Sequence, residues 1–221
     1  MNLEQARNNM VEQQIRTWEV LDQGVLDLLY LVPREEFVLP QYKALAFSDL
    51  EIPLEDGVKA GERMWQPKME ARVLQELALK KTDSVLEVGT GSGYLTALLS
   101  HRAGHVHTVE IKPKLAELGR RNLARQGLDN VTLQIGDAAL GWPRQAPYDA
   151  IVLTGSTPVL PRAFLEQLAP GGRLFAVVGE APAMTARLVT CTTPGAYGNV
   201  DLFETVIAPL VNAEQPSRFK F

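Results

Sequence analysis

Val85-Leu86-Glu87-Val88-Gly89-Thr90-Gly91-Ser92-Gly93 runs from an apolar segment into alternating glycines, and the fold class follows from it. Its first four residues, with Ser84 in front, form an apolar run of strand length. Glycines on alternate positions follow, and 94–100 reads as a helix. Strand, glycine turn and helix in that order open a parallel α/β unit. The alternation continues downstream. Strands are predicted over 106–110, 131–135, 150–153 and 172–178, and helices over 115–126 and 162–168. The fold expected is α/β, a Rossmann-like, doubly wound, mostly parallel sheet with helices on both faces. Beyond Gly179 the pattern weakens. Strands over 186–191 and 204–209 around the turn 194–198 predict an antiparallel hairpin at the sheet edge.

Upstream, apolar residues at helical spacing (Met10, Ile15, Trp18, Leu21, Val25, Leu26, Leu29) predict a buried stripe. Gly24 and the segment 16–20 divide it into two helices, and Pro33 ends it. Residues 37–67 are rich in proline and glycine and read as loops and short extended pieces. The chain is therefore divided into an N-terminal helical and loop cap over 1–67 and a Rossmann-like domain over 68–221, together one compact unit.

The glycines are spaced G-x-G-x-G, unlike the G-x-G-x-x-G of dinucleotide sites. Glu87 stands two residues before the first glycine, where a carboxylate suits a cationic group better than a pyrophosphate. S-adenosylmethionine offers an ammonium for Glu87, a sulfonium, and a carboxylate for the loop at Gly89, Thr90, Gly91 and Ser92. Glu110 ends the next strand and can accept from two ribose hydroxyls. Asp137 follows the third strand and can accept from an adenine amino group, with Gly136 permitting close approach. Read singly, Glu110 is a solvated strand-end acid and Asp137 a helix N-cap. Placed at the ends of successive parallel strands, the three acids converge on one ligand. Thr154, at the exit of the fourth strand, is expected to face the reacting end.

Composition narrows the classes further. The 221 residues carry a net charge of -4, so no basic excess points to nucleic acid. Cys191 is the sole cysteine, which excludes an internal disulfide and fits a reducing, cytoplasmic setting. No apolar run is of membrane-spanning length. His101, His105 and His107 cluster without an acid or thiol to complete a metal-ligand spacing, so no metal is expected.

The order of these motifs resembles the class I S-adenosylmethionine-dependent methyltransferases and, more narrowly, the protein-L-isoaspartate O-methyltransferase family. The residues similar to that family include Val32-Pro33-Arg34-Glu35-Glu36-Phe37-Val38, Val85–Tyr94, Gly136-Asp137 with Gly141-Trp142, and Pro170-Gly171-Gly172. The resemblance implies repair of aged proteins by methylation of the free carboxyl of L-isoaspartyl residues, D-aspartyl also being accepted. It places Gln66 among the cofactor-binding residues. It also puts Trp65 at the position of a family serine regarded as an active-site residue. Met64-Trp65-Gln66-Pro67 stands where the family has Ile-Ser-Gln-Pro, and 54–63 is longer than usual. Thr154-Gly155-Ser156-Thr157 departs from the usual Thr-Ala-Ala-Ala. Two readings of Trp65 follow: it narrows the acceptor pocket, or it turns into the core while Ser48, Thr154 or Ser156 supplies a hydroxyl. Two functional alternatives stay open, a methyltransferase of the same ancestry with another acceptor, possibly a small molecule, and a non-catalytic cofactor-binding paralogue. The oligomeric state is left open.

Overall fold

The computed structural model describes residues 2–55 and 62–216. Residues 56–61 of the lengthened stretch 54–63, and the tail from 217, lie outside the described residues. A seven-stranded sheet runs through the molecule: β3 (Ser84–Val88), β4 (His105–Glu110), β5 (Val131–Ile135), β6 (Tyr148–Leu153), β7 (Leu168–Glu180), β8 (Ala183–Thr193) and β9 (Ala196–Glu204). The small sheet of β1 (Ile52–Pro53) and β2 (Arg63–Met64) stands apart from it. The strand order is β5-β4-β3-β6-β7-β8-β9. The first five of these run parallel, and β8 and β9 add an antiparallel edge.

Alternate residues of the central strands face opposite sides of the sheet, as a period of two requires. Val85, Val152, Phe175 and Val177 join the core under the N-terminal helices. Leu86, Ile151, Leu153, Leu174 and Ala176 join a second core with Phe164 and Trp142. Burial on both faces explains why these strands read as continuous apolar runs.

The helices are α1 (Leu3–Asn9), α2 (Gln23–Leu31), α3 (Pro67–Leu77), α4 (Tyr94–Ser100), α5 (Pro113–Arg125) and α6 (Arg162–Glu166). Asn2 and Asp22 cap α1 and α2 by accepting from Gln5 N and Val25 N. Between them lie a π-helical segment, Met10–Ile15, and a 3-10 turn, Arg16–Trp18, that ends with Glu19 at φ 61°. The division falls at 16–22, and Gly24 sits inside α2.

Two expectations need correction here. Leu21 is 70% exposed, while Val11 and Val20 are fully buried. Leu21 and Val20 lie in the non-helical link between the 3-10 turn and α2, where a helical period does not apply. Val11 lies within the π-helical segment, which winds wider than an α-helix and brings it inward beside Met10. The second strand of the edge hairpin is Ala196–Glu204, not 204–209, and it pairs with β8 across the tight turn at Pro194-Gly195. Residues 205–210 instead run back over the sheet. Ser156 N donates to Ala208 O and Leu210 N to Ser156 O, both at 2.9 Å, which straps this segment to the exit of β6.

Candidate functional site

A cavity of about 760 Å³ opens at the carboxyl ends of β3, β4, β5 and β6. Its wall includes Glu87, Gly89, Thr90, Gly91, Ser92, Glu110, Gly136, Asp137 and Thr154, so nearly all the site residues read from the sequence meet in one place. Trp65 also lines it. Gln66 does not: it precedes α3 and lines a smaller neighbouring cavity of about 170 Å³ with Trp18, Lys68 and Met69. Pro67 at the first turn of α3 sets that orientation, because the extended residue before a proline cannot enter the helix.

Glu87 is fully buried. Its Oε2 accepts from Thr96 Oγ1 at 2.5 Å and Thr108 Oγ1 at 2.7 Å. Thr108 shares a further hydroxyl bond with Thr90 at 2.6 Å. The register explains the contact, since Glu87 and Thr108 are partners across β3 and β4. Oε1 is buried and has no hydrogen-bond partner. Burial pushes the carboxyl up to about 8, the two threonine hydroxyls pulling the other way. An unpartnered buried oxygen on a cavity wall is costly unless a ligand supplies a donor.

Glu110 Oε2 accepts from Gly91 N at 2.9 Å and Oε1 from Lys112 N at 3.0 Å. The carboxylate thus ties the glycine loop to the end of β4 and keeps lone pairs for further donors. Gly89, Gly91 and Gly93 all have positive φ, which lets the loop turn tightly between β3 and α4.

Asp137 Oδ1 accepts from Ala139 N at 3.0 Å and Oδ2 from Asn212 Nδ2 at 2.7 Å, joining the end of β5 to the C-terminal segment. Gly136 lines the cavity and is also packed from within. A Cβ there would lie 2.8 Å from the indole ring of Trp142, so the buried tryptophan demands the glycine. Thr154 Oγ1 lies 2.8 Å from Val88 O and 2.9 Å from Gly89 O. Its single hydroxyl hydrogen is thereby committed to backbone, and the side chain latches β6 to the loop instead of offering a donor to the reacting end.

Trp65 is 7% exposed and belongs to the core, edge-on to Phe175 with ring centroids 6.3 Å apart. Its carbonyl accepts from Arg34 Nη2 at 2.5 Å. Arg34 is itself fully buried, pairs with Glu70 and lies with its guanidinium carbon 4.9 Å from the ring centre of Tyr94. Burial raises the Glu70 carboxyl, and Arg34 opposes the rise. Of the hydroxyls considered as replacements for the missing serine, only Thr154 reaches the cavity wall. Ser156 Oγ donates to Ile207 O at 3.2 Å inside the protein, and Ser48 is absent from the wall.

Several wall residues escaped the sequence reading. Glu51, Leu54, Glu62, Arg63 and Met64 come from the β1–β2 side, and Ile207 to Val211 from the returning strap. Neither stretch carries a period or a glycine signature. The one available signal was Gly155: a Cβ there would lie 2.9 Å from Leu210 N, so its departure from the Ala-rich pattern reports a chain crossing overhead.

The residues present fit S-adenosylmethionine. Acids end three successive strands, a glycine loop lies between them, and one buried carboxylate oxygen awaits a donor. Fold and site together define a class I S-adenosylmethionine-dependent methyltransferase. The family model described as protein-L-isoaspartate(D-aspartate) O-methyltransferase matches residues 5–215, and the chain belongs to that family.

Among curated relatives, the protein-L-isoaspartate O-methyltransferase of Protochlamydia amoebophila is 42% identical over 172 residues, covering 78% of this chain and 80% of its own. That of Syntrophotalea carbinolica is 39% identical over 206 residues, 93% of each. A solved protein-L-isoaspartate O-methyltransferase superposes with a TM-score of 0.78 at 27% identity. It covers 92% of this chain, which spans 65% of that longer one. A Plasmodium falciparum β-aspartate methyltransferase structure containing S-adenosyl-L-homocysteine shares the fold, with a TM-score of 0.78 at 20% identity over 96% of this chain and 99% of its own. No helix among the described residues is long and apolar enough to cross a membrane.

Proposed function

We propose that the enzyme methylates the free carboxyl of L-isoaspartyl residues, and of D-aspartyl residues, in damaged proteins, working in the cytoplasm. The observation that carries this reading is the family match over residues 5–215, which takes in both the glycine loop and the β1–β2 wall of the same cavity. The cap over 1–67 then serves the acceptor, and the body over 68–221 serves the cofactor.

S-adenosylmethionine, when bound, supplies a methyl group on a cationic sulfur. Glu87 Oε1 would receive its ammonium, the loop from Gly89 to Ser92 its carboxylate, Glu110 the ribose hydroxyls and Asp137 the adenine amino group. A carboxylate acceptor is ionised near pH 7 and needs no general base. Among the described residues the cavity wall carries no histidine and no cysteine, in keeping with an acceptor that has no proton to lose. What remains for the protein is alignment and removal of water.

The test uses S-adenosylmethionine with a labelled methyl group, an isoaspartyl peptide and its ordinary aspartyl counterpart. Base-labile methyl incorporation into the first alone is expected. Cofactor binding without peptide methylation, alongside labelling of small molecules from a cell extract, would move the acceptor elsewhere.

A further inference from the structure

The charge on the cavity wall is lopsided. Among the described residues the acids are Glu51, Glu62, Glu70, Glu87, Glu110 and Asp137, and the only bases are Arg63 and Lys112. Lys112 is committed, its Nζ lying 2.5 Å from Glu62 Oε1. Glu70 is committed to Arg34 in turn.

Arg63 differs from every other arginine on the inner surfaces. It is half-buried in β2, two residues before Trp65, and it lines the cavity. Among the described residues it makes no hydrogen bond and no ion pair within 4 Å. Its charge acts on Glu51, whose carboxyl is raised by burial while Arg63 pulls it down.

A guanidinium holds five N–H donors in a planar fork suited to a carboxylate. When a ligand fills the cavity, water leaves those donors, and a cation stripped of water without acceptors is strongly disfavoured. An occupant that covers these donors is favoured when it brings an anionic group of its own. The cofactor's own carboxylate has the backbone N–H groups of the glycine loop. Arg63 sits instead on the separate β1–β2 sheet. Its neighbours Glu51 and Trp65 also border the second cavity, with Trp18 and Lys68, away from the acid-bearing strand ends.

We propose that Arg63 is the specificity-determining residue for the acceptor, receiving the free carboxylate of the isoaspartyl or D-aspartyl group. The inference rests on the acceptor class proposed above. It explains how a chain with an indole at position 65 recognises the substrate's charge: electrostatics from Arg63 stands in for hydroxyl hydrogen bonding.

The full-length protein and its Arg63→Gln and Arg63→Lys variants are compared in three measurements. These are steady-state kinetics on an isoaspartyl peptide, calorimetric affinity for S-adenosylhomocysteine, and peptide binding to the S-adenosylhomocysteine-loaded protein. The last uses both the free-carboxylate peptide and its carboxamide analogue. Arg63→Gln is expected to raise the peptide KM about 10- to 100-fold, the scale of a lost charge-assisted hydrogen bond. Affinity for S-adenosylhomocysteine should stay within about twofold, with Arg63→Lys intermediate in KM. Wild type should prefer the carboxylate over the carboxamide, and Arg63→Gln should lose that preference. An unchanged KM and preference, or a parallel loss of S-adenosylhomocysteine affinity, would overturn the assignment.

Failure of the activity itself reads differently. Arg63-dependent peptide binding without methyl transfer would sink the isoaspartyl reaction and leave the carboxylate site standing. Turnover indifferent to Arg63 would do the reverse, and a wild type that neither binds nor methylates the peptide would sink both.

Discussion

Replacing Trp65 by serine restores the residue type that the family resemblance leads one to expect, and the structure predicts that the restoration does harm. Trp65 is 7% exposed, sits edge-on to Phe175 at 6.3 Å and borders both cavities. Removing the indole deletes a large buried aromatic surface from a wall whose backbone is held, since the Trp65 carbonyl stays bound to Arg34. The wall cannot collapse inward, so the transfer loss and the void add. Together they amount to about 3–5 kcal/mol, as for other buried aromatics truncated in cores. That is a large part of the ~5–15 kcal/mol that holds a domain together. For a protein of this length it corresponds to a fall in Tm of about 6–20 °C. The lost partition should also merge the two cavities and loosen the β1–β2 wall between them. Urea unfolding and thermal scans of Trp65→Ser against wild type measure the first effect, and turnover on an isoaspartyl peptide the second, with no gain expected. Turnover that rises severalfold while stability falls by less than about 1 kcal/mol would refute the reasoning and make Trp65 a plug in the acceptor pocket.

Further outcomes follow from the same geometry. Glu87 has its carboxyl raised from 4.5 to about 8 by burial, so the folded state holds a proton that the unfolded state releases above about 4.5; its contribution to stability is present below that value and lost as pH rises through 8. The Tm of the ligand-free protein should therefore fall over this window, with a shallower slope in Glu87→Gln, and an identical slope in the two proteins would remove Glu87 as the source. Glu110→Ala should weaken S-adenosylhomocysteine binding by about 1–3 kcal/mol through loss of a charge-assisted acceptor, and calorimetry finding an unchanged affinity would detach Glu110 from the ligand. Gly136→Ala should cost about 1–3 kcal/mol through overpacking against Trp142, 2.8 Å from the new Cβ; denaturation with an unchanged midpoint would contradict the close approach.

How far the site could be read in advance follows from how each part is encoded. The strand ends carry their message locally. A glycine turn needs positive φ, and an acid after an apolar run marks the open end of a parallel strand, so Glu87, Glu110 and Asp137 could be placed together without coordinates. What the acids do there depends on neighbours distant in sequence. Thr96 and Thr108 occupy one oxygen of Glu87, Gly91 ties down Glu110, and Asn212 takes Asp137. The N-terminal stripe fails at Leu21 for another reason: the chain leaves the helix after Trp18 and re-enters one only at Gln23, so Leu21 falls in a link that follows no helical period.

The β1–β2 wall and the returning strap were hidden because they are built from pieces with no periodicity of their own. The strap over 205–210 is held by two backbone hydrogen bonds to Ser156 and by the missing Cβ at Gly155, a pairing between segments some fifty residues apart. β2 is two residues long and, among the described residues, pairs only with β1. Such segments contribute to the site through position, not through regular structure. Residues in these segments can therefore change without disturbing the sheet. In this chain both Trp65 and Arg63 fall in that region, while the glycine loop and its acids keep the pattern expected for the cofactor. The division has a physical basis. The cofactor site is fixed by the register of five parallel strands, where a change of residue is felt across the core. The wall opposite hangs on a two-residue ladder and a strap, and there a new indole or guanidinium needs only local accommodation.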